Sequence, residues 1–518
     1  MLSPKVKRAL CLSVGVFLLA TGCALIPVFK YVIHQTIAKE VPIAEGSLLY
    51  DDWVVPPVPV YYQLWVFNLT NPLEVIAGAK PYVIQRGPYT YREHRKKYNI
   101  TFEPNGTISY RQLHWYTFDR SRSCGPDTDK FTTANVPMLT VANLIRFEYP
   151  WVQELVELVQ KATIDSSLFG QYSVRDITWG YEDNLLKAAK EIVGRFNVTI
   201  DDKVGLFYGT NNTDDGLYNI YSGSDDISKL AIINRWNGLT RLPYWSTDSA
   251  RMINGTDGTF FPPFVDKSWT MYVYQTDICR SLYLNYKQMK TLRGVDLYSF
   301  VLPDSVFADL PENQGFCTPS EQYCLPAGLL NVSNCKPEFA PILGSQPHFY
   351  AADPSVQQAV IGLNPTPGEH QTNIDVEPNT GIVMNIDKKY QVNILIRNYT
   401  QMKSTHNINF LVFPILWLNE VCLYCMTLYR YYILTHLPLP GITVGMMISI
   451  ASQMYVSYQT FQQLPCHSVA IFQFILLSCT TISIVMPSEF NSNNLIVQQH
   501  CCSISSNLLG FFHANLRI

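Results

Sequence analysis

The chain has 518 residues and a formal net charge of −3, so it carries neither a basic surface suited to nucleic acid nor a long charged tail. Aromatic residues are plentiful at 13% and charged ones scarce at 15%, which leaves much apolar surface to bury or to offer to an apolar ligand. The length admits one large core or several domains.

Residues 1–8 contain Lys5, Lys7 and Arg8 and read as a cytoplasmic N-terminus. The run Ala9–Phe29 has no charged side chain; as a helix it reaches roughly 30 Å, the thickness of a bilayer core, and is predicted to be an anchor. Two readings compete with it. A cleaved signal peptide would need a better cleavage site than Ala20–Gly22, and a bacterial lipid-attachment box would carry Leu at Ala20. With an anchor, residues 30–420 lie outside the cytosol. Asn-x-Ser/Thr acceptors at Asn68, Asn99, Asn105, Asn197, Asn211, Asn254, Asn331 and Asn398 agree with a glycosylated surface.

Residues 50–135 are β-rich: "VYYQLWVFNLT" and "PYVIQRGPYTYRE" carry β-branched and aromatic residues near alternating spacing. Between them and residue 196 the period changes. "WVQELVELVQK" puts Val152, Leu155, Val156 and Val159 on one helical face that suits a partner or lipid as well as ordinary core packing, and Lys161 follows. "YEDNLLKAAKEIVGRF" is a second helix candidate. From about 200 to 420 strand signals return, as in "SWTMYVYQTDICRSLYLNY" and "KKYQVNILIRNYT". The simplest architecture is one large α+β ectodomain, mainly β, with helical residues 137–196 inserted. Residues 421–518 differ sharply, with only Arg430, Glu489 and Arg517 formally charged. Val469–Met486 within that segment is long enough for a second anchor, and Ile442–Tyr458 is a poorer candidate.

An oxidising compartment favours disulfides for Cys279, Cys317, Cys324 and Cys335 over zinc, because no closely paired ligands with His partners accompany them. The residues alone leave the connectivity open, and Cys124 is left over. Cys422 and Cys425 form a C-x-x-C within the odd tail, without the setting of a metal or redox site. No hydrolase elbow, zinc-protease helix or phosphate-binding loop occurs, and no catalytic residue, metal ligand or cofactor is assigned. His94, His114, His348 and His370 stand apart along the chain and read as surface or satisfied core residues. Asp201/Asp202 and Asp214/Asp215 read as solvated turns. The basic run "REHRKK" (Arg92–Lys97) reads as a solvated strand or loop, or as a patch attracting anionic ligands at a membrane surface.

Several stretches resemble the class B scavenger receptor family. They are "RGPYTYRE" (Arg86–Glu93), "TWGYED" (Thr178–Asp183), "GLFYGTNNTDDGLY" (Gly205–Tyr218), "MINGTDGTFFPPF" (Met252–Phe264), "DICRSLY" (Asp277–Tyr283), "PHFYAADP" (Pro347–Pro354), "GLNPTPGEHQTNIDVEPNTGI" (Gly362–Ile382) and "FPILWLNE" (Phe413–Glu420). The resemblance spans residues 1–420 in order. It implies a hairpin of two anchors around an antiparallel β-barrel core, a helical apex at 137–196 and a hydrophobic tunnel. The implied ligands are fatty acids, phospholipids, cholesterol and lipoproteins, at the plasma or the lysosomal membrane. A dry conduit spares each CH₂ about 0.8 kcal/mol of exposure to water, and no covalent chemistry is required. The family pattern further implies Cys279 paired with Cys335 and Cys317 with Cys324. It offers no third bridge, because Ala250 stands where the platelet and lysosomal members have Cys. The lysosomal member carries the hydrolase β-glucocerebrosidase on its apex, which gives an alternative role as a sorting receptor. Tyr172 stands at the matching place of that member's pH-sensitive His, and Ile164 and Asp165 precede Ser166 where the platelet member has lysines. The tail departs from the family after Glu420, where Val421 replaces the usual Ser or Thr, and it reads as an alternative exon end.

Overall fold

The computed structural model describes residues 34–145 except 48, 167–194, 201–292, 295–317, 323–335, 340–399 and 402–423, with scattered positions before 34. The chain divides into two compact units, Ile37–Tyr429 and Met1–Thr36 with Arg430–Ile518. All elements below belong to the first.

Alternating apolar residues form long strands in the N-terminal third: β1 (Val60–Leu69), β2 (Val83–Phe102) and β3 (Thr107–Phe118), followed by the short β4 (Lys130–Ala134). A helix over Val136–Ile145 comes next. Asn135 precedes it, accepting from Met138 N at 3.1 Å, and its buried residues include Met138, Leu139 and Ala142. Then come β5 (Phe169–Ser173), a helix over Val174–Trp179 and β6 (Tyr181–Glu182). The second helix candidate runs Asn184–Gly194, later than its motif begins, because Asp183 caps it by accepting from Leu185 N and Leu186 N at 2.9 and 3.0 Å.

The chain continues with β7 (Lys203–Val204), β8 (Thr213–Tyr221), β9 (Ile233–Trp236), β10 (Thr270–Gln275), β11 (Arg280–Leu292) and β12 (Val295–Val301). It ends its described part with β13 (Leu329–Asn331), β14 (Ile342–Ser345), β15 (Asn373–Val376), β16 (Val383–Arg397) and β17 (Phe410–Leu423). The last strand continues past Glu420, pairing Val421 with Tyr61 and Cys422 with Val60.

Among the described residues one antiparallel sheet dominates, in the order β10-β11-β12-β15-β16-β17-β1-β2-β3-β8-β9, with β14 also on β16 and β13 on β14. The α+β, mainly β architecture is therefore present, but the strand pairing does not close into a barrel. Its edges, β9 and β10, are not paired with each other. The turn Gly255–Thr256 lies between them: Ile233 N donates to Gly255 O at 2.8 Å, Thr256 N to Tyr272 O at 3.2 Å, and Tyr274 N to Thr256 O at 2.9 Å. Gly255 has φ +82°, and a Cβ there would lie 1.8 Å from Tyr272 O, so only glycine fits this seam.

Residues Leu411–Glu420 of β17 are buried without alternation, which shows that the sheet centre is covered on both faces and explains the apolar run of "FPILWLNE". The larger core cluster includes Leu64, Phe67, Tyr89, Leu139, Phe169, Phe413 and Leu416; a second gathers Phe261, Met271, Leu284, Phe300 and Val376. No helix among the described residues is long and apolar enough to cross a membrane. Nearly all of Ala9–Phe29, and all of Val469–Met486, lie outside the described residues.

Candidate functional site

The basic run Arg92–Lys97 lies within β2, where side chains alternate between faces. Arg92 and Lys96 are exposed, whereas Glu93 and Lys97 are buried and Arg95 is half-buried. The reading of one solvated or anion-attracting patch is thus corrected: a strand splits the run into two unlike faces. The cross-strand register then assembles the enclosed face. Glu93, Arg95 and Lys97 oppose Tyr116, His114 and Gln112 of β3, while Glu420 of β17 lies between Lys388 of β16 and Tyr62 of β1.

Arg95 grips Glu93 with two hydrogen bonds, Nε to Oε1 at 2.9 Å and Nη2 to Oε2 at 2.8 Å, and its Nη2 also donates to Glu420 Oε1. Lys388 Nζ donates to the other oxygen of Glu420 at 2.9 Å and lies 3.8 Å from Asp277. Burial opposes charge on Glu420, but Lys388 and Arg95 hold its carboxyl well below the usual range. Glu93 behaves likewise under Arg95 and His114. These groups are enclosed by protein, yet the side chains of Arg95 and Lys388 keep 20% and 23% of their area accessible.

His114 sits 2.8 Å from Glu93 through Nδ1 and 3.8 Å from Asp215 through Nε2. Burial works against its charge, but the carboxylates of Asp215 and Glu93 raise it to about 9. Among the described residues Lys97 has no carboxylate at contact; its Nζ donates to Gln112 Oε1 at 2.6 Å, near the rings of Trp53 and Tyr110, and burial lowers it to about 8. Gln112 Nε2 faces His114 Nε2 at 3.1 Å. Gln112 Oε1 is engaged by Lys97, so a charged His114 relies on Asp215 at Nε2 and Glu93 at Nδ1.

An aromatic group adjoins this polar cluster. Tyr116 lies 5.4 Å from Tyr62 and 4.8 Å from Trp179, and Phe207 lies 6.1 Å from Tyr62. The Tyr116 hydroxyl reaches Glu93 at 3.4 Å and so links the two regions. The enclosed face therefore offers charge at one part and ring surface at another, the two requirements of an amphiphile.

A family model described as the CD36 family matches residues 13–459. The chain belongs to the CD36 family. Lysosome membrane protein 2 of Rattus norvegicus is 39% identical over 412 residues, which cover 79% of this chain and 84% of that protein. Scavenger receptor class B member 1 of Sus scrofa is 35% identical over 410 residues, 79% of each chain, and the Rattus norvegicus form is 36% identical over 410 residues, 78% of this chain and 79% of that one. These relatives are, by name, membrane proteins and receptors rather than enzymes.

In this CD36-family chain Cys279 is bonded to Cys335 and Cys317 to Cys324, closing sequence separations of 56 and 7. Cys124 is free and exposed, and Cys422 is free, its thiol pushed up to about 11 by burial. Ala250 is buried, and a Cβ on Gly315 would lie 2.8 Å from the Ala250 Cβ, so small residues pack closely there. The acceptors Asn99, Asn105, Asn211 and Asn398 are exposed. Asn68, Asn254 and Asn331 are half-buried, and Asn68 Oδ1 accepts from Thr132 N at 2.9 Å, which ties that side chain to the scaffold. Asn197 lies outside the described residues, as do Val152, Leu155, Val156, Val159 and Lys161 of the expected apex.

One sequence expectation is corrected. Asp214 and Asp215 are not solvated turn residues: both lie in β8, where Asp214 pairs with Arg111 at 2.6 Å and Asp215 accepts from the Tyr218 hydroxyl at 2.7 Å. His348 and His370, separate along the chain, are brought together by the fold, their rings 4.3 Å apart and both buried. His348 Nδ1 accepts from Asn364 N at 3.0 Å, so its proton sits on Nε2, 2.5 Å from Gln85 Oε1. They are satisfied core histidines. Sequence reasoning missed the Glu93–Arg95–Glu420–Lys388 cluster, although alternate charges on a strand were its visible half.

Proposed function

We propose that this chain is a class B scavenger receptor that binds lipid or lipoprotein ligands, namely fatty acid, phospholipid or cholesterol, and passes lipid through the ectodomain interior to the membrane. One observation supports this most: charged side chains enclosed by the sheet retain accessible area and adjoin the Tyr62–Tyr116–Trp179–Phe207 rings. We take that accessible area to face an internal space, which a solid, packed core would not leave. The sheet would act as a wall around that internal space, with the Gly255–Thr256 seam completing a barrel that strand pairing leaves open. Lipid would enter at the helical apex around Leu155 and Val156 and move down its own gradient, with the two anchors holding the exit at a plasma or lysosomal membrane. The Asn-x-Ser/Thr acceptors and the two disulfides fit an extracytosolic face.

The test is uptake of labelled fatty acid and lipoprotein lipid by cells expressing the chain at matched surface level. A photoactivatable fatty acid should label peptides carrying Tyr62, Tyr116 or Trp179, and Leu155→Asp with Val156→Asp should cut uptake. Labelling confined to the outer surface would remove the internal route. Uptake that survives the double substitution would remove the apex as the entry point. The sorting-receptor alternative predicts instead capture of a hydrolase such as β-glucocerebrosidase at neutral pH and its release in acid. Tyr172, its ring tilted against that of Tyr181 at 4.8 Å, supplies no acid-titrating group for that release.

A further inference from the structure

Arg280 begins β11, directly after Cys279 and inside the "DICRSLY" motif. It is 4% exposed. Its Nη2 donates to Val306 O at 2.9 Å and to Asn313 Oδ1 at 2.8 Å, both neutral acceptors. Asn313 is held in place by its own amide, which donates to Ser305 O and Ala308 O at 2.9 Å each. The guanidinium lies 3.6 Å from the Phe316 ring centroid, with Phe307 at 5.5 Å. Nε is buried and makes no hydrogen bond. Among the described residues no carboxylate pairs with this cation, and burial draws it down to about 9 against only the Tyr283 phenol.

A buried cation with no counter-ion among the described residues is rare, because desolvation is costly and neutral acceptors and a ring face repay only part of it. Arg95, Lys388 and Lys290 each contact a carboxylate, whereas Lys97, buried like Arg280, donates to the neutral Gln112 amide. Arg280 instead lines a cavity of about 40 Å³, shared with Leu310, Phe316, Leu329 and the Cys317–Cys324 disulfide. One water needs about 10–15 Å³ of such space, so the cavity has room for a small ion with a water beside it. Asp309, the carboxylate among its described lining residues, is exposed and makes no ion pair with Arg280.

We propose that this cavity binds a small monovalent anion of chloride's size, which neutralises Arg280. At contact in a poorly polarisable interior, a unit negative charge stabilises a guanidinium far more than a water dipole does. The bound anion would fix Arg280 to the turns Asp304–Phe307 and Pro311–Phe316 and would lock the lobe carrying both disulfides. The site is separate from the lipid route and independent of it.

The experiment uses the full chain in detergent micelles, unfolded thermally with chloride replacing gluconate at constant ionic strength. The midpoint should rise saturably by a few degrees as chloride fills the site, and bromide should substitute. Arg280→Gln should abolish the chloride dependence while leaving lipid labelling intact. Equal midpoints in gluconate and chloride would overturn the proposal, as would a chloride effect that persists in folded Arg280→Gln. Should that variant fail to fold, chlorine-35 line broadening by the wild-type chain decides: excess broadening displaced by bromide supports the site, and its absence overturns it.

Discussion

Glu420→Gln removes one charge from the centre of the enclosed cluster and keeps the side chain's volume. Two cations depend on that charge, but unequally. Arg95 retains both hydrogen bonds to Glu93, whereas Lys388 is left with Asp277 at 3.8 Å. Removing one partner of a buried pair costs about 3–5 kcal/mol. The accessible fifth of Arg95 and Lys388 places this case near the lower end, about 3 kcal/mol. Urea unfolding of the full chain, followed by tryptophan fluorescence, measures it. The pH dependence has a fixed sign. Glu420 is held below the ordinary carboxylate range, so its contribution is complete above the unfolded value of about 4.3 and fades as pH falls through and below it. Wild type and variant should therefore differ fully at pH 7 and converge in strong acid. Adding Lys388→Gln should return about 1–2 kcal/mol, because no unpaired ammonium remains. A Glu420→Gln protein as stable as wild type, or a double variant no better than the single one, would refute the ion-pair reasoning.

Three further outcomes follow from the geometry. Burial, with His370 beside it, holds His348 down at about 4 against an ordinary 6.5, so its contribution is complete above pH 6.5 and is lost between 6.5 and 4, about 3 kcal/mol in all. His348→Asn tolerates the local φ of +55° and should flatten the stability profile between pH 7 and 5 in the same urea assay. Loop-closure entropy assigns about 4 kcal/mol to Cys279–Cys335 and about 2.5 kcal/mol to Cys317–Cys324; paired Cys→Ser variants compared by urea midpoint should keep that order. Gly255→Ala should destabilise by at least about 2 kcal/mol, since its Cβ meets Tyr272 O at φ +82°, and limited proteolysis should then cut near the β9–β10 seam.

Local chemistry was legible in the chain. β-Branched and aromatic alternation marked β1 and β16, and the amphipathic "NLLKAAKEIVG" marked the helix Asn184–Gly194, because strand and helix periods depend on neighbours only a few residues away. The phrase-by-phrase family resemblance was legible for the same reason, as was the disulfide role of Cys279, Cys317, Cys324 and Cys335. Tertiary structure alone decided which charges meet. Arg95 and Glu420 lie 325 positions apart and become partners only through the register of β1 between β2 and β17. His348 and His370 join because the segments carrying them fold onto Trp417. Arg280 sits in a recognisable motif, yet its want of a counter-ion among the described residues depends on what packs around it. Periodicity is written locally, whereas the partner and solvation of a charge are set by strand order and register, which distant residues determine together.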